Sequence, residues 1–241
     1  MPVKGNLIER VTFFGDPELD SDLPKANEVF WSSIIGHIEQ DFGVPPRVIL
    51  DIGCHTGGLL HRLNQRFSPA ELFGVEPLAA ARLAASRGFD GSVPRVWLLD
   101  PSEWDRIPSG AVDLITSHET LYLESDVQDF MKRVRRVLAP TGSAYVVLGC
   151  HSENPLWEIW KAQMLADGHR VYDHLPLEIM KDASSEGLLP SVQPLRSSGW
   201  ITYDPIRAKF LYPDLRTMLD HHYRYKLIFR LRVADDRLTH S

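Results

Sequence analysis

The chain has 241 residues, which fit one larger domain because single cores stop growing near roughly 250–300 residues. Lys and Arg total 26 against 32 Asp and Glu, and the net charge of −6 argues against a nucleic-acid-binding protein. Two cysteines are too few for a disulfide framework or a thiolate zinc site, and the sequence shows neither a signal peptide nor a membrane-spanning apolar run. We therefore expect a soluble, cytoplasmic monomer or homodimer without a bound metal.

Short apolar runs alternate with helical stretches from residue 47 to 150, a rhythm that predicts βαβ units and a parallel sheet. Ahead of them, an acidic loop at 16–22 precedes a predicted helix at 23–42. The predicted strands lie at 47–53, 71–77, 95–101, 111–118 and 143–151, with helices at 58–67, 77–89 and 124–140. Beyond residue 151 the pattern predicts helices near 153–167, 175–187 and 213–223, and strands at 198–204 and 226–233.

The strongest motif is VILDIGCHTGG at 48–58, where the first strand meets the first crossover helix. Gly53 permits a sharp turn, and Gly57 permits close approach of a ligand to the backbone. Asp51 ends the strand, and a second acid, Glu76, ends the next strand at the interval that brings a carboxylate to a ribose diol. The motif predicts a nucleotide-like ligand, although a plain tight turn would need the same glycines.

This motif resembles the glycine-rich motif of the class I S-adenosylmethionine-dependent methyltransferases, an acid followed by three alternating glycines. GVEP at 74–77, VDLITSHETLYL at 112–123 and RRVLAPTGSAYVV at 135–147 extend the resemblance, which covers about residues 25–150. It implies an α/β fold: a Rossmann-like three-layer sandwich whose mostly parallel seven-stranded sheet has an antiparallel late strand, plus helical lid segments. A single domain at 1–241 would then divide into an N-terminal lid helix region (1–43), a cofactor-binding core (44–150), a lid insertion (151–197) and C-terminal strands and helix (198–241).

The resemblance also implies S-adenosylmethionine as the cofactor. The cofactor-binding residues that it implies are Asp51, Gly53, Cys54, His55, Gly57, Glu76, Pro77, Asp100, Pro101, Ser117 and His118. One departure is His55, which replaces the middle glycine, so that either the loop is displaced or His55 touches the ligand. Asp100 could equally be a helix-capping acid. Charge supports this cofactor over a dinucleotide, because an acid ahead of the glycines attracts a sulfonium and an ammonium but repels a pyrophosphate.

Candidate catalytic residues follow the fourth and fifth strands, where open α/β sheets place their ligands: His118, Glu119 and His151. For His118, a general base, cofactor packing and an inert loop histidine all remain open. Substrate-binding candidates are the aromatic residues of the flanking segments and of the loop after strand four: Phe30, Trp31, Tyr122, Trp157 and Trp160. Core packing is the competing interpretation for each. The adjacent His221 and His222 would point apart on a helix, so they predict no metal pair.

Together these features predict a methyltransferase that acts on a small, apolar or aromatic molecule at an oxygen or nitrogen atom. Two alternatives remain. An NAD(P)-dependent oxidoreductase could use the same glycine loop, although Asp51 and the lack of a hydride-transfer constellation disfavour it. A non-catalytic or repurposed protein of the same fold would explain His55.

Overall fold

The computed structural model describes residues 17–89 and 95–234, with side chains from residue 23 onward. The predicted features that fall on 1–16, 90–94 and 235–241 lie outside the described residues. The helices are α1 Pro17–Asp41, α2 Gly58–Phe67, α3 Ala79–Arg87, α4 Val127–Val137, α5 Trp157–Ala166, α6 Pro176–Ser185 and α7 Leu215–Asp220. The strands are β1 Val48–Ile52, β2 Glu71–Val75, β3 Val96–Leu99, β4 Val112–His118, β5 Leu138–Leu148, β6 Leu188–Pro194 and β7 Leu227–Val233.

The seven strands form one sheet in the order β3-β2-β1-β4-β5-β7-β6. The first five strands pair in parallel, and β7 runs antiparallel to both β5 and β6. This confirms the predicted mostly parallel sheet with an antiparallel late strand. Because β7 is reversed, its first residues lie beside the carboxyl end of β5, where Leu148 pairs with Leu227.

The central strands are buried on both faces, as their uninterrupted apolar sequences require. One apolar cluster packs α4, α5 and α6 against the sheet, and a second packs α1 and α2 against the other face. The result is the predicted three-layer sandwich. Its α4 shows the physical basis most clearly, since Val127, Phe130, Met131 and Val134 recur at helical spacing and are all buried.

Three predicted elements are wrong in place or extent. The late strand predicted at 198–204 is irregular, with Trp200 93% exposed, and the strand lies instead at β6. Residues 17–22 belong to α1 rather than to a loop, because Pro17 and the acids after it suit a helix N-terminus. Strand β5 begins at Leu138, and Gly142 lets it continue past an irregularity in its pairing with β4, since a Cβ there would lie 2.8 Å from the Val112 carbonyl oxygen.

Among the described residues, no helix combines the length and the apolar composition needed to cross a membrane.

Candidate active site

The carboxyl ends of β1, β2, β4 and β5 meet at one edge of the sheet. The parallel register places Ile52 beside both Val75 and Ser117, and His118 beside Val147. Open α/β sheets bind ligands at this edge. The start of β7 lies at the same edge because that strand is antiparallel.

The glycine turn after β1 depends on left-handed backbone that side chains rarely adopt. Gly53 has φ +74°, and a Cβ there would overlap the side-chain methyl group of Thr120. Gly57 has φ +81°, and a Cβ there would approach Ala85 to 3.1 Å, so this glycine lets α3 pack against the turn. His55 also adopts left-handed backbone, with φ +47°. His55 stands where the resembling motif has its middle glycine, and it adopts a backbone conformation that a glycine reaches easily. A residue with a side chain adopts this conformation only at a cost in conformational energy.

Asp51 is 2% exposed at the end of β1 and accepts a hydrogen bond of 2.7 Å from the Thr116 hydroxyl. Burial raises the pKa of Asp51 to about 7, and the nearby Glu76 carboxylate adds to the rise while the Thr116 hydrogen bond opposes it. This carboxyl group is therefore poised between its neutral and ionised forms near neutral pH. A cation bound beside it would favour the ionised form.

Glu76 is 5% exposed, and each of its carboxylate oxygens accepts a backbone hydrogen bond. Oε2 accepts from the His55 amide at 3.0 Å, and Oε1 accepts from the Leu78 amide at 2.9 Å. Burial raises its pKa, while these hydrogen bonds oppose the rise. Each oxygen retains lone-pair capacity for a further donor. Asp51 and Glu76 together form what we call the carboxylate pair.

Asp100 caps the short 3₁₀ helix Pro101–Arg106, which makes the capping interpretation of this residue correct. Its Oδ1 accepts from the Ser102 amide at 3.0 Å, and its Oδ2 lies 3.2 Å from the Arg82 guanidinium. These hydrogen bonds lower the pKa of Asp100. Arg82 also donates to the Glu76 carbonyl oxygen, so it ties the ends of β2 and β3 together. A role of Asp100 in cofactor binding stays a prediction.

The other predicted cofactor residues lie at the same edge. Cys54 is buried, and Pro77 lies between Glu76 and α3 and is partly buried. Pro101 is exposed at the start of its 3₁₀ helix. The Ser117 hydroxyl is buried and hydrogen-bonded to the Thr120 hydroxyl. Their contact with a cofactor stays a prediction.

A buried ion pair occupies the edge beyond β4. The Lys226 ammonium lies 2.7 Å from Glu119 Oε1, with 5% of the lysine side chain and 19% of the glutamate side chain exposed. Glu119 also accepts from the Gly149 amide at 2.8 Å and the Cys150 amide at 3.4 Å, so its carboxylate holds the loop after β5. The ammonium and these amides keep its pKa low against the effect of burial.

Imidazoles and an aromatic ring surround the ion pair. Phe30 of α1 lies with its ring 3.6 Å from the Lys226 ammonium and stacked on the His222 ring at 4.6 Å. The His118 and His221 rings lie 6.0 and 6.2 Å from the same phenyl ring. We call this group the imidazole cluster; its members are Phe30, His118, Glu119, His221, His222 and Lys226.

The histidines of the imidazole cluster are electrically neutral near pH 7. Burial, with the Lys226 charge as a second cause, lowers the pKa of His118 and of His222 to about 3 and that of His221 well below its usual range. The Nε2 atom of His118 is buried without a hydrogen-bond partner among the described residues. The neutral His118 ring thus has one buried nitrogen atom that is available to hydrogen-bond a ligand.

Sequence reasoning missed His221, His222 and Lys226 as candidate site residues. His221 and His222 begin a π-helical turn, His221–Tyr225, that directly precedes β7. Such turns are rare and often occur at functional sites, but their sequences carry no recognisable pattern. The one available signal was their place just before β7. Because an antiparallel strand beside β5 starts where β5 ends, residues ahead of β7 must lie at the ligand-binding edge.

His151 makes two backbone hydrogen bonds. Its Nε2 donates to the Tyr225 carbonyl oxygen at 2.7 Å, and its Nδ1 accepts from the Glu153 amide at 3.3 Å. Burial lowers its pKa. With both nitrogens engaged, His151 fastens the loop after β5 to the turn before β7, and a catalytic role stays a prediction that requires one of these bonds to open.

The aromatic candidates divide among three places. Trp160 joins the imidazole cluster, with its ring 4.8 Å from that of His221. Tyr122 and Trp157 contact each other within the core, and the Trp157 indole donates to Asp173. Trp31 lies against Gly58 at the start of α2, where a Cβ would overlap its ring. Only Phe30 and Trp160 therefore lie with the imidazole cluster.

Two further observations bear on where a ligand can bind. A surface groove of about 490 Å³ lies at the opposite end of the sheet, but Arg47 is its one charged side chain. In the described part of the chain, no three His, Cys, Asp or Glu side chains are grouped to hold a metal ion. The carboxylate pair and the imidazole cluster, both at the carboxyl edge, are therefore the candidate ligand-binding groups.

The sheet order and the reversed β7 define a Rossmann-like fold, and a glycine turn flanked by two acids lies at its ligand-binding edge. Residues 50–144 match the profile of a methyltransferase domain family. This segment is therefore similar to a methyltransferase domain, and the predicted resemblance to the class I S-adenosylmethionine-dependent methyltransferases is confirmed.

Curated relatives match over the same core. The chain is 30% identical to the trans-aconitate 2-methyltransferase of Acidovorax sp. (strain JS42) over 116 residues, 48% of this chain and 43% of the relative. It is 26% identical to the malonyl-[acyl-carrier protein] O-methyltransferase of Hahella chejuensis over 125 residues, 52% of this chain and 44% of the relative. The match thus spans less than half the length of either relative.

Solved structures match over nearly the whole fold. A structure of a Haloferax volcanii complex between the Trm112 methyltransferase activator and a methyltransferase gives a TM-score of 0.72 at 16% identity, covering 94% of this chain and 97% of the other. The geranyl diphosphate C-methyltransferase of Streptomyces coelicolor gives 0.62 at 17% identity, covering 95% and 86%. At these identities the similarity establishes the fold.

Proposed function

We propose that this protein transfers a methyl group from S-adenosylmethionine to a small-molecule acceptor, at an oxygen or nitrogen atom. The observation that carries this proposal is the carboxylate pair at the ends of β1 and β2, on either side of the glycine turn, within the segment that matches a methyltransferase domain. The two curated relatives are named as methyltransferases, and the Streptomyces coelicolor structure is titled as a complex with S-adenosylhomocysteine.

The residues present fit this cofactor. S-adenosylmethionine supplies a methyl group activated by its sulfonium centre, and it carries a second cationic group, an ammonium. Asp51 and Glu76 provide buried carboxylates next to backbone made accessible by Gly53 and Gly57. In this proposal Glu76 accepts hydrogen bonds from the ribose hydroxyls while it keeps the His55 amide in place, since each carboxylate oxygen can accept more than one bond.

Methyl transfer requires alignment of acceptor and methyl group and the exclusion of water, with a base only where the acceptor must lose a proton. We propose that Phe30 and Trp160 help to exclude water above the imidazole cluster, because both are buried against it. His118 is neutral near pH 7, so its proposed role is to orient the acceptor through Nε2. Glu119 is ionised and held by two amides and an ammonium, so its proposed role is to position Lys226.

Further proposals concern partners and place. We infer that the acceptor has an apolar or aromatic part, because Phe30, Trp160 and Tyr212 all pack around His221. We further propose that the protein is cytoplasmic, a monomer or homodimer, and does not bind nucleic acid. Size-exclusion chromatography with light scattering measures the oligomeric state directly.

Calorimetric titration with S-adenosylmethionine, S-adenosylhomocysteine and NAD tests the cofactor assignment. We expect saturable binding of the first two and no binding of NAD. Binding of NAD alone would identify an oxidoreductase, and binding of no ligand would identify a non-catalytic protein of this fold. Incubation with S-adenosylmethionine and panels of phenols, amines and carboxylic acids, followed by mass detection of an increment of about 14 Da (a methyl group gained and a proton lost), tests the reaction itself.

A further inference from the structure

The Lys226 ammonium has hydrogen-bonding capacity that residues 17–89 and 95–234 leave unused. An ammonium carries three N–H donors. Within the described residues, Glu119 Oε1 is the one acceptor within reach, and the remaining close neighbour is the face of the Phe30 ring at 3.6 Å. An aromatic face is a weak acceptor compared with an oxygen atom. A cation buried in this way is stabilised when a ligand supplies the missing acceptor.

The neighbouring His221 presents a second donor whose identity the hydrogen bonds determine. Asn154 Oδ1 accepts from the Leu156 amide, which fixes Nδ2 as the atom that faces His221 Nδ1 at 3.2 Å. His221 Nδ1 is therefore an acceptor, and in the neutral ring the proton resides on Nε2. In the part of the chain that the structure describes, this Nε2–H makes no hydrogen bond.

The two donors lie close together at the ligand-binding edge. His221 Cε1 and Lys226 Cε lie 2.7 and 3.2 Å from the point where a Cβ on Gly149 would stand. Both side chains face the Phe30 ring, as does His118, whose Nε2 is buried without a partner among the described residues. Glycine at 149 is therefore required for this convergence, since a Cβ there would occupy the space that His221, Lys226 and Glu119 share.

We propose that the methyl acceptor carries an anionic oxygen group, a carboxylate or a phosphate, which binds Lys226 Nζ together with Nε2 of His221 and His118. The proposal rests on the proposed methyl transfer and specifies the class of acceptor. Glu119 is already engaged in the protein, because Oε1 accepts from both the Gly149 amide and Lys226 and Oε2 accepts from the Cys150 amide. A metal ion does not fit, since the ammonium would repel it.

A buried ion pair with a purely structural purpose is the competing explanation, in which Lys226 serves only to neutralise Glu119. The two explanations differ in what happens when a small anion is offered. If the pair is purely structural, an aromatic anion and its neutral counterpart bind equally. If the cluster is an anion site, the anion binds more tightly, and the preference depends on Lys226.

The test titrates the full chain, saturated with S-adenosylhomocysteine, with benzoate and phenyl phosphate and with their neutral counterparts methyl benzoate and benzyl alcohol. The same titrations without S-adenosylhomocysteine keep the test independent of cofactor binding. The variant is Lys226→Met combined with Glu119→Gln, which removes both charges of the pair and so leaves no buried charge unpaired. The matched control is Lys181→Met, which removes an exposed lysine paired with Glu178.

We expect at least one of the two anions to bind about tenfold or more tightly than its neutral counterpart, and the double variant to lose this preference while Lys181→Met keeps it. Preference for benzoate or for phenyl phosphate identifies the anionic group as carboxylate or phosphate. Equal binding of charged and neutral probes, retention of the preference by the double variant, or no binding of either anion overturns the proposal. Failure of S-adenosylhomocysteine to bind overturns the proposed function instead, and the titrations without it still decide the anion site.

Discussion

The carboxylate pair and the imidazole cluster lie at the same edge of one sheet but differ in chemistry and origin. The carboxylate pair is acidic, and its two members come from successive strands joined by a single crossover helix. The imidazole cluster combines a phenyl ring from α1, an imidazole and a carboxylate from the end of β4, and two imidazoles and an ammonium from the turn before β7. The carboxylate pair thus comes from one local motif and suits a cationic cofactor. The imidazole cluster, where we propose that the acceptor binds, is assembled from segments far apart in the sequence.

Burial shifts the pKa values of the two groups in opposite directions, with the same consequence for charge. It raises the pKa of Asp51 to about 7 and lowers that of His118 to about 3, so both side chains favour their neutral forms. Glu119 keeps a low pKa despite its burial because the Lys226 ammonium and the Gly149 amide favour the carboxylate. The imidazole cluster therefore carries little net charge, since its one ammonium and one carboxylate balance and its three imidazoles are neutral.

The largest expected effect is on the imidazole cluster. Lys226→Met leaves the Glu119 carboxylate buried without its ammonium, and breaking such a pair costs about 4 kcal/mol in the free energy of unfolding. Urea denaturation at pH 7 measures the loss. Lys181→Met, which removes an exposed partner, should change the same free energy by less than about 0.5 kcal/mol. Adding Glu119→Gln to Lys226→Met should restore part of the loss; no restoration would mean that Lys226 acts through packing alone.

The second effect tests the glycine turn of the carboxylate pair. Gly53→Ala introduces a side chain at φ +74° that overlaps the Thr120 methyl group, at a cost of about 3 kcal/mol in the free energy of unfolding. Gly110→Ala is the matched control, because Gly110 has φ +65° with no atom within 4 Å of its Cβ position, and about 1 kcal/mol is expected. Thr120→Ser removes the overlapping methyl group and should recover part of the Gly53→Ala loss. Equal losses at the two glycines would contradict the close packing of the turn.

The third effect is on cofactor affinity. Asp51→Ala and Glu76→Ala should each weaken S-adenosylmethionine binding by at least about tenfold, or roughly 1.4 kcal/mol, because each removes a buried carboxylate beside the glycine turn. Calorimetry measures the affinities. Asp100→Ala provides a comparison, since its carboxylate already caps a helix and contacts Arg82. Unchanged affinity in both Asp51→Ala and Glu76→Ala would refute the cofactor site as drawn.

The two regions also show how far sequence predicts this molecule. Asp51, Gly53, Gly57 and Glu76 could be predicted because a strand, a turn and a helix place them within one βαβ unit, where spacing determines geometry. The contact between Lys226 and Glu119 could not, because it depends on how β7 pairs with β5 across 78 intervening residues between the strands' facing ends Leu148 and Leu227.

The misplaced late strand has a similar cause. The segment 198–204 is rich in β-branched and aromatic residues, yet β6 at Leu188–Pro194 is the strand that pairs with β7. Exposed edge strands carry weak apolar patterns, and β6 contains two prolines and is mostly solvent-facing. His221 and His222 lay in a segment that the apolar pattern assigned to an ordinary helix, so a helix-surface interpretation concealed their burial.

The smallest effect is on the pH dependence of cofactor binding, and it separates the carboxylate pair from the imidazole cluster. The pKa of Asp51 in the folded protein, about 7, exceeds its usual value, so the folded protein holds this proton more tightly than the unfolded chain does. The resulting stabilisation is complete below about pH 3.8, the usual pKa of this carboxyl group, and is lost progressively as the pH rises from there to about 7. A cationic cofactor binds the ionised form, which is about a tenth of the protein at pH 6 and about nine tenths at pH 8. Affinity for S-adenosylmethionine should therefore rise by nearly tenfold over this range, with protons released in calorimetry, whereas Asp51→Asn should flatten the profile. His118→Gln should leave the profile unchanged, because His118 stays neutral throughout that range. A pH dependence that disappears in His118→Gln would contradict the prediction, because it would assign the titration to the imidazole cluster.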